Sequence, residues 1–153
     1  WETFSVNWRT DVKIAFNWLR EALLKPLPPD SRVVVVSSGA ALFGSPASGG
    51  YAGAKATQRF IAAYARDESR RAGLDITVTA VMPTMTPFGE VGRRGVRAYA
   101  ARGGQTEEAY LEQLGDVLTP EVAGSALVDL VRAEPATTAS EYLLTAAGLQ
   151  QLP

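Results

Sequence analysis

The chain has 153 residues, 46% hydrophobic and 20% charged, with neither cysteine nor histidine. That is enough apolar chain for one globular domain with a sizeable core. Fifteen Lys and Arg against sixteen Asp and Glu leave a net charge of −1, which argues against a dedicated nucleic-acid or anionic-membrane binder. The missing Cys and His exclude disulfides, thiolate or imidazole metal sites, cysteine nucleophiles and Ser-His-Asp triads. Acid–base chemistry is left to Asp, Glu, Lys or Tyr. There are only three lysines: Lys13, Lys25 and Lys55.

No signal-peptide pattern is present. No apolar run approaches the roughly 20 residues of a membrane span, so a soluble, cytoplasmic protein is expected. The chain opens on Trp1 rather than Met, which hints at residues ahead of it.

Residues 7–25 read as a helix, with Val12, Ile14, Ala15, Trp18, Leu19, Ala22 and Leu23 spaced near 3.6. Pro26, Pro28, Pro29 and Asp30 end it in a turn. Residues 32–37 form a β-branched run without polar alternation, the pattern of a strand buried on both faces of a parallel sheet. Residues 38–50 are rich in Ser, Gly and Ala and read as a loop. A second helix is predicted over 51–72, with Ala54, Phe60, Ile61, Ala63, Tyr64 and Ala65 on its apolar side and Gly73 as its stop.

Residues 75–82 make a second strand, ended by Pro83. Glycines and Pro87 mark 84–104 as irregular, and a short helix is predicted over 106–114. Thr119 and Pro120 cap and open a helix to about 133. Residues 141–145 are a third strand. The alternation implies an α/β fold with right-handed parallel connections. Three strands are few for such a sheet, and the Val33–Val36 strand is expected at an open edge, an aggregation liability unless more chain or a partner covers it.

The candidate chemistry lies around Tyr51 and Lys55. Four apart at a helix start, they share one face. Ser38 ends the preceding strand, where open α/β sheets place ligands. A phenol with a pKa near 10 is a poor acid–base catalyst at neutral pH. A nearby ammonium favours its ionised form, and a hydroxyl beside it can hold a carbonyl or alcohol oxygen. A Tyr-x-x-x-Lys pair alone arises by chance in about one such chain in ten, so the specificity comes from adding Ser38 at a strand end.

These pieces resemble a known family. Val33-Val-Val-Val-Ser-Ser-Gly39, Gly50-Tyr-Ala-Gly-Ala-Lys-Ala56 and a strand ending Ala80-Val-Met-Pro83 are similar to the C-terminal half to two-thirds of a short-chain dehydrogenase/reductase. Phe4-Ser-Val-Asn7 resembles the family segment that opens its fourth helix, and Thr119-Pro-Glu-Val-Ala123 its penultimate helix.

The resemblance implies that residues 1–153 are the C-terminal part of a single Rossmann-type domain. It implies hydride transfer with NAD or NADP between an alcohol and a carbonyl. Tyr51 would be the general acid/base and, like Lys55, a cofactor-binding residue, and Lys55 would tune Tyr51 and bind the nicotinamide ribose. Ser38 would orient the substrate oxygen and Asn7 would place a water in the proton relay. Pro83 and Thr86 would contact the nicotinamide. A homodimer or homotetramer through helices 7–25 and 51–72 is implied as well, and the ligands are small molecules, without nucleic acid, membrane or metal.

Simpler roles compete at the minor positions: a helix N-cap for Asn7, a loop residue for Thr86, a solvated face for Arg93, Arg94, Arg97 and Arg102, and packing for Phe88, Tyr99 and Tyr110. The sequence departs from the family in three places. The Thr-Gly-x-x-x-Gly-x-Gly phosphate-binding turn does not occur in these residues. Thr84 replaces a Gly after Pro83, and Thr145-Ala-Ala-Gly148 replaces Asp-Gly-Gly. The alternative is therefore a non-catalytic scaffold or dimerisation module of the same fold.

Overall fold

The computed structural model describes residues 1–153. Four strands form one mixed sheet in the order β1 (Ser31–Val36), β2 (Ile76–Pro83), β3 (Glu141–Thr145) and β4 (Gly148–Gln151). The first three are parallel, with Val33 opposite Val78 and Ala80 opposite Glu141, and β4 returns antiparallel on β3. Helices flank the sheet: α1 (Lys13–Leu24), α2 (Ala40–Phe43), α3 (Tyr51–Ala72), α4 (Glu90–Gly103), α5 (Glu107–Leu114) and α6 (Pro120–Arg132). None is long and apolar enough to cross a membrane.

The strand period of two divides the core. Ile76, Val78, Ala80 and Met82 face one side, where they pack with Leu19 of α1 and Ala62 and Ala65 of α3. Val81 faces the other side with Leu118, Leu144 and Leu130 of α6. Arg59 of α3 reaches Glu141 at the start of β3, its Nε 2.9 Å from each carboxylate oxygen. With Nη2 also donating to Oε2, the guanidinium grips the carboxylate by two nitrogens, a geometry that fixes both side chains.

The strands step across the sheet in one direction, β1 to β2 to β3, yet α3 and α6 lie on opposite faces. The β1–α3–β2 and β2–α6–β3 connections therefore have opposite hands. The expectation of uniformly right-handed connections fails for one of them. The hand rule comes from a strand feeding a helix that packs straight back on the sheet. Residues 84–140 instead carry α4 and α5 before α6 and β3, which gives the chain room to change faces.

Other differences have local causes. Residues 90–103, expected to be irregular, form α4. Its glycines serve close packing: a Cβ on Gly92 would lie 1.7 Å from the Thr86 carbonyl oxygen. Val96 and Ala100 are buried, while the arginines of α4 stay in solvent, Arg94 paired with Glu90 and Arg97 with Glu107. Gly92→Ala is expected to cost about 1–3 kcal/mol through displacement of the Thr86 backbone, read as a lower urea midpoint; an unchanged midpoint would show that the contact yields freely.

On α3 the buried positions are Ala54, Gln58, Ala62, Ala65 and Ser69, whereas Phe60 and Tyr64 are exposed and stacked on each other. Small residues let α3 lie close to the sheet, which turns its large aromatics outward. The loop 38–50 contains the single turn α2, and β4 was not anticipated at all. β1 forms one margin of the sheet, as expected. Trp18 and Ile14 of α1 and Val33–Val36 line an open apolar groove along that edge.

Candidate active site

Residues before α1 make a π-helical turn, Trp8–Val12, in which the Lys13 N–H reaches back to the Trp8 carbonyl. Such turns concentrate at functional sites. Asn7 precedes it in helical conformation and caps nothing with its side chain. Its amide Nδ2 instead donates to Asp11 Oδ2 at 3.2 Å. The other Asp11 oxygen lies 3.9 Å from Lys55 Nζ. Lys55 Nζ in turn sits 5.6 Å from the centre of the Tyr51 ring. Asn7, Lys55 and Tyr51 thus converge, with Asp11 as the link between Asn7 and Lys55.

The helix α3 is fixed beneath this group by contacts that sequence reading passed over. Ser37 Oγ, at the end of β1, donates to the Lys55 carbonyl at 2.8 Å. The buried Gln58 donates through Nε2 to the Asp11 carbonyl at 2.8 Å. Gly50, just before Tyr51, meets the Phe4 backbone so closely that a Cβ would lie 2.1 Å from the Phe4 carbonyl oxygen. The start of α3 therefore presses against the N-terminal segment that carries Asn7.

Ser38 lies in the turn between β1 and α2, half-buried, where its Oγ accepts from the Ala40 N–H at 3.2 Å. The next residue, Gly39, donates to the Pro83 carbonyl at 2.8 Å. Ser38 and Pro83 therefore belong to one rim, at the C-terminal ends of β1 and β2. Thr86 is further along the connection to α4, held by its backbone against Gly92. No hydrogen bond ties its side chain to Tyr51, Lys55 or Ser38. Ser45 and Tyr99 share a 2.6 Å hydroxyl contact, and Tyr99 stacks on Tyr110. These aromatics pin the loop before α3 onto α4 and α5.

Beyond the C-terminal ends of β2 and β3 lies an open cleft of about 860 Å³, with Thr84, Met85, Val122 and Thr145 in its walls. That is where parallel α/β sheets bind ligands, and its size falls in the range of small-molecule sites. Burial of Lys55 pushes its ammonium below the ordinary lysine pKa, and the Asp11 carboxylate opposes that shift.

Asp11 is the site residue that sequence reading missed. Its signal was an acid four residues after Asn7 on the same predicted helix. Compared with known proteins, the chain matches no family model, no curated protein and no solved structure.

Proposed function

We propose that this chain is the C-terminal part of a Rossmann-type, NAD(P)-dependent oxidoreductase of the short-chain dehydrogenase/reductase kind, interconverting an alcohol and a carbonyl. The observation that supports it is the chain of contacts from Asn7 through Asp11 to Lys55 and on to Tyr51, with Ser38 and Pro83 on the adjoining strand ends. In reduction, the Tyr51 phenol gives its proton to the substrate oxygen; in oxidation it takes that proton back. Ser38 holds the same oxygen by a hydrogen bond. The Lys55 ammonium faces Tyr51 and offers donors to a ribose.

The residues present suit the nicotinamide end of a dinucleotide: an ammonium and a phenol on the first turns of α3, and, beyond the ends of β2 and β3, a cleft walled by Thr84, Met85, Val122 and Thr145. Pro83 and Thr86 would border the ring. When bound, the nicotinamide supplies or accepts the hydride.

A titration of NADH and NADPH fluorescence with the whole protein tests this. Binding of one cofactor is expected, weakened at least about tenfold by Lys55→Ala, the loss of one charge-assisted contact worth about 1.5–3 kcal/mol. Binding of neither cofactor would sink the proposal. The second reading, a pairing module, draws on the exposed Phe16 of α1 and Phe60 and Tyr64 of α3, apolar surface of the kind that self-association covers. The two readings coexist if the enzyme is a homodimer or homotetramer through these helices.

A further inference from the structure

Lys55 is a poorly solvated cation, its side chain 12% exposed. The charged neighbour the structure sets against it is Asp11. The adjoining ends of β1 and β2 and the whole of α2 carry no ionisable side chain, and Tyr51 is the neighbour on its own helix. Arg59, one turn further along α3, is taken up by Glu141. Glu21 of α1 is paired with Arg20 and Lys25, and Lys13 is exposed.

Asp11 is itself held at three points. Asn7 donates to its carboxylate, Gln58 donates to its carbonyl, and the π-helical turn fixes its backbone. With its backbone fixed and its carboxylate hydrogen-bonded by Asn7, Asp11 costs little reorganisation as it faces the lysine.

We infer that Asp11 is a positioning residue: its carboxylate joins the Asn7 amide to the Lys55 ammonium and keeps Lys55 charged and in place beside Tyr51. Asn7 then acts through Asp11. The part of this inference that concerns turnover rests on the proposed oxidoreductase function; the electrostatic part does not. Burial drives the ammonium towards its neutral form, and the anion opposes that drive. If Lys55 must be charged for turnover, activity is lost as pH rises through its titration. Removing the anion moves that loss to lower pH.

The test uses the small lysine count. With lysine labelled at ¹³Cε, three resonances are expected, and the exposed Lys13 and Lys25 serve as internal references. In Asp11→Asn the Lys55 midpoint should fall while the other two stay. Asp11→Glu should restore it, and Asn7→Ala, which frees the carboxylate, should give a smaller fall. A Lys55 midpoint unmoved in both Asp11→Asn and Asn7→Ala overturns the inference. Amide spectra establish that each variant is folded.

In the whole protein, the alkaline limb of the kcat profile should move to lower pH in Asp11→Asn and return in Asp11→Glu. A limb that stays while the Lys55 midpoint moves overturns the role in turnover. If the parent protein transfers no hydride, the oxidoreductase proposal fails, and the lysine titration still decides what Asp11 does to Lys55.

Discussion

Under the proposed oxidoreductase function, Tyr51→Phe is expected to lower redox turnover of the whole protein by about 10²–10⁴-fold, the range ascribed to a positioned general acid or base. It should leave the fold nearly unchanged. The substitution removes one hydroxyl from a half-buried ring at the first turn of α3. The ring keeps its place beneath Lys55 Nζ, so packing survives while the proposed proton donor is lost. The measurement is a steady-state assay with NADH or NADPH beside a thermal melt. Turnover within tenfold of the parent would remove Tyr51 from the chemistry. A large drop in melting temperature would show that the hydroxyl holds structure instead.

Leu144→Ala is expected to cost about 3 kcal/mol, in the range found when a fully buried Leu is truncated and its cavity does not collapse. Leu144 is fully buried on β3, packed with Val81, Leu118 and Leu130. It lies on the face covered by α6, one residue before Thr145 in the cleft wall. The melting temperature should fall by roughly 6–12 °C for a domain of this size. Val91→Ala is the control: Val91 is 82% exposed at the start of α4 and should change stability by less than about 0.5 kcal/mol. Equal losses in the two variants would mean that the β3–α6 face does not form as described.

How much of this was legible in the sequence depended on the range of the forces involved. The start of α3 at Tyr51 and its left-handed stop at Gly73, φ 62°, follow from local rules. So does the cap of α6, where Thr119 Oγ1 accepts from the Val122 N–H at 3.2 Å. The β-branched run of β1 and the place of that strand at a margin were likewise readable. The glycines of α4 misled because Gly92 answers to the Thr86 backbone, a packing contact, while as a local residue it reads as a breaker. Phe60 and Tyr64 misled in the opposite way: helical periodicity places them on a face but does not say which face the sheet covers.

The same division runs through the candidate site. A mixed α/β chain with a mostly parallel sheet, most of the element boundaries, and the placing of Tyr51 and Lys55 on one face at the start of α3 could be read from the sequence, because strand ends, helix turns and i,i+4 neighbours are short-range geometry. Tertiary structure alone decided that the connections into β2 and β3 have opposite hands, that β4 closes the β3 side, and that Asp11 stands between Asn7 and Lys55. Each of these depends on where a distant element packs. The partner of a buried charge is fixed in space, by helices that come together only when the core forms.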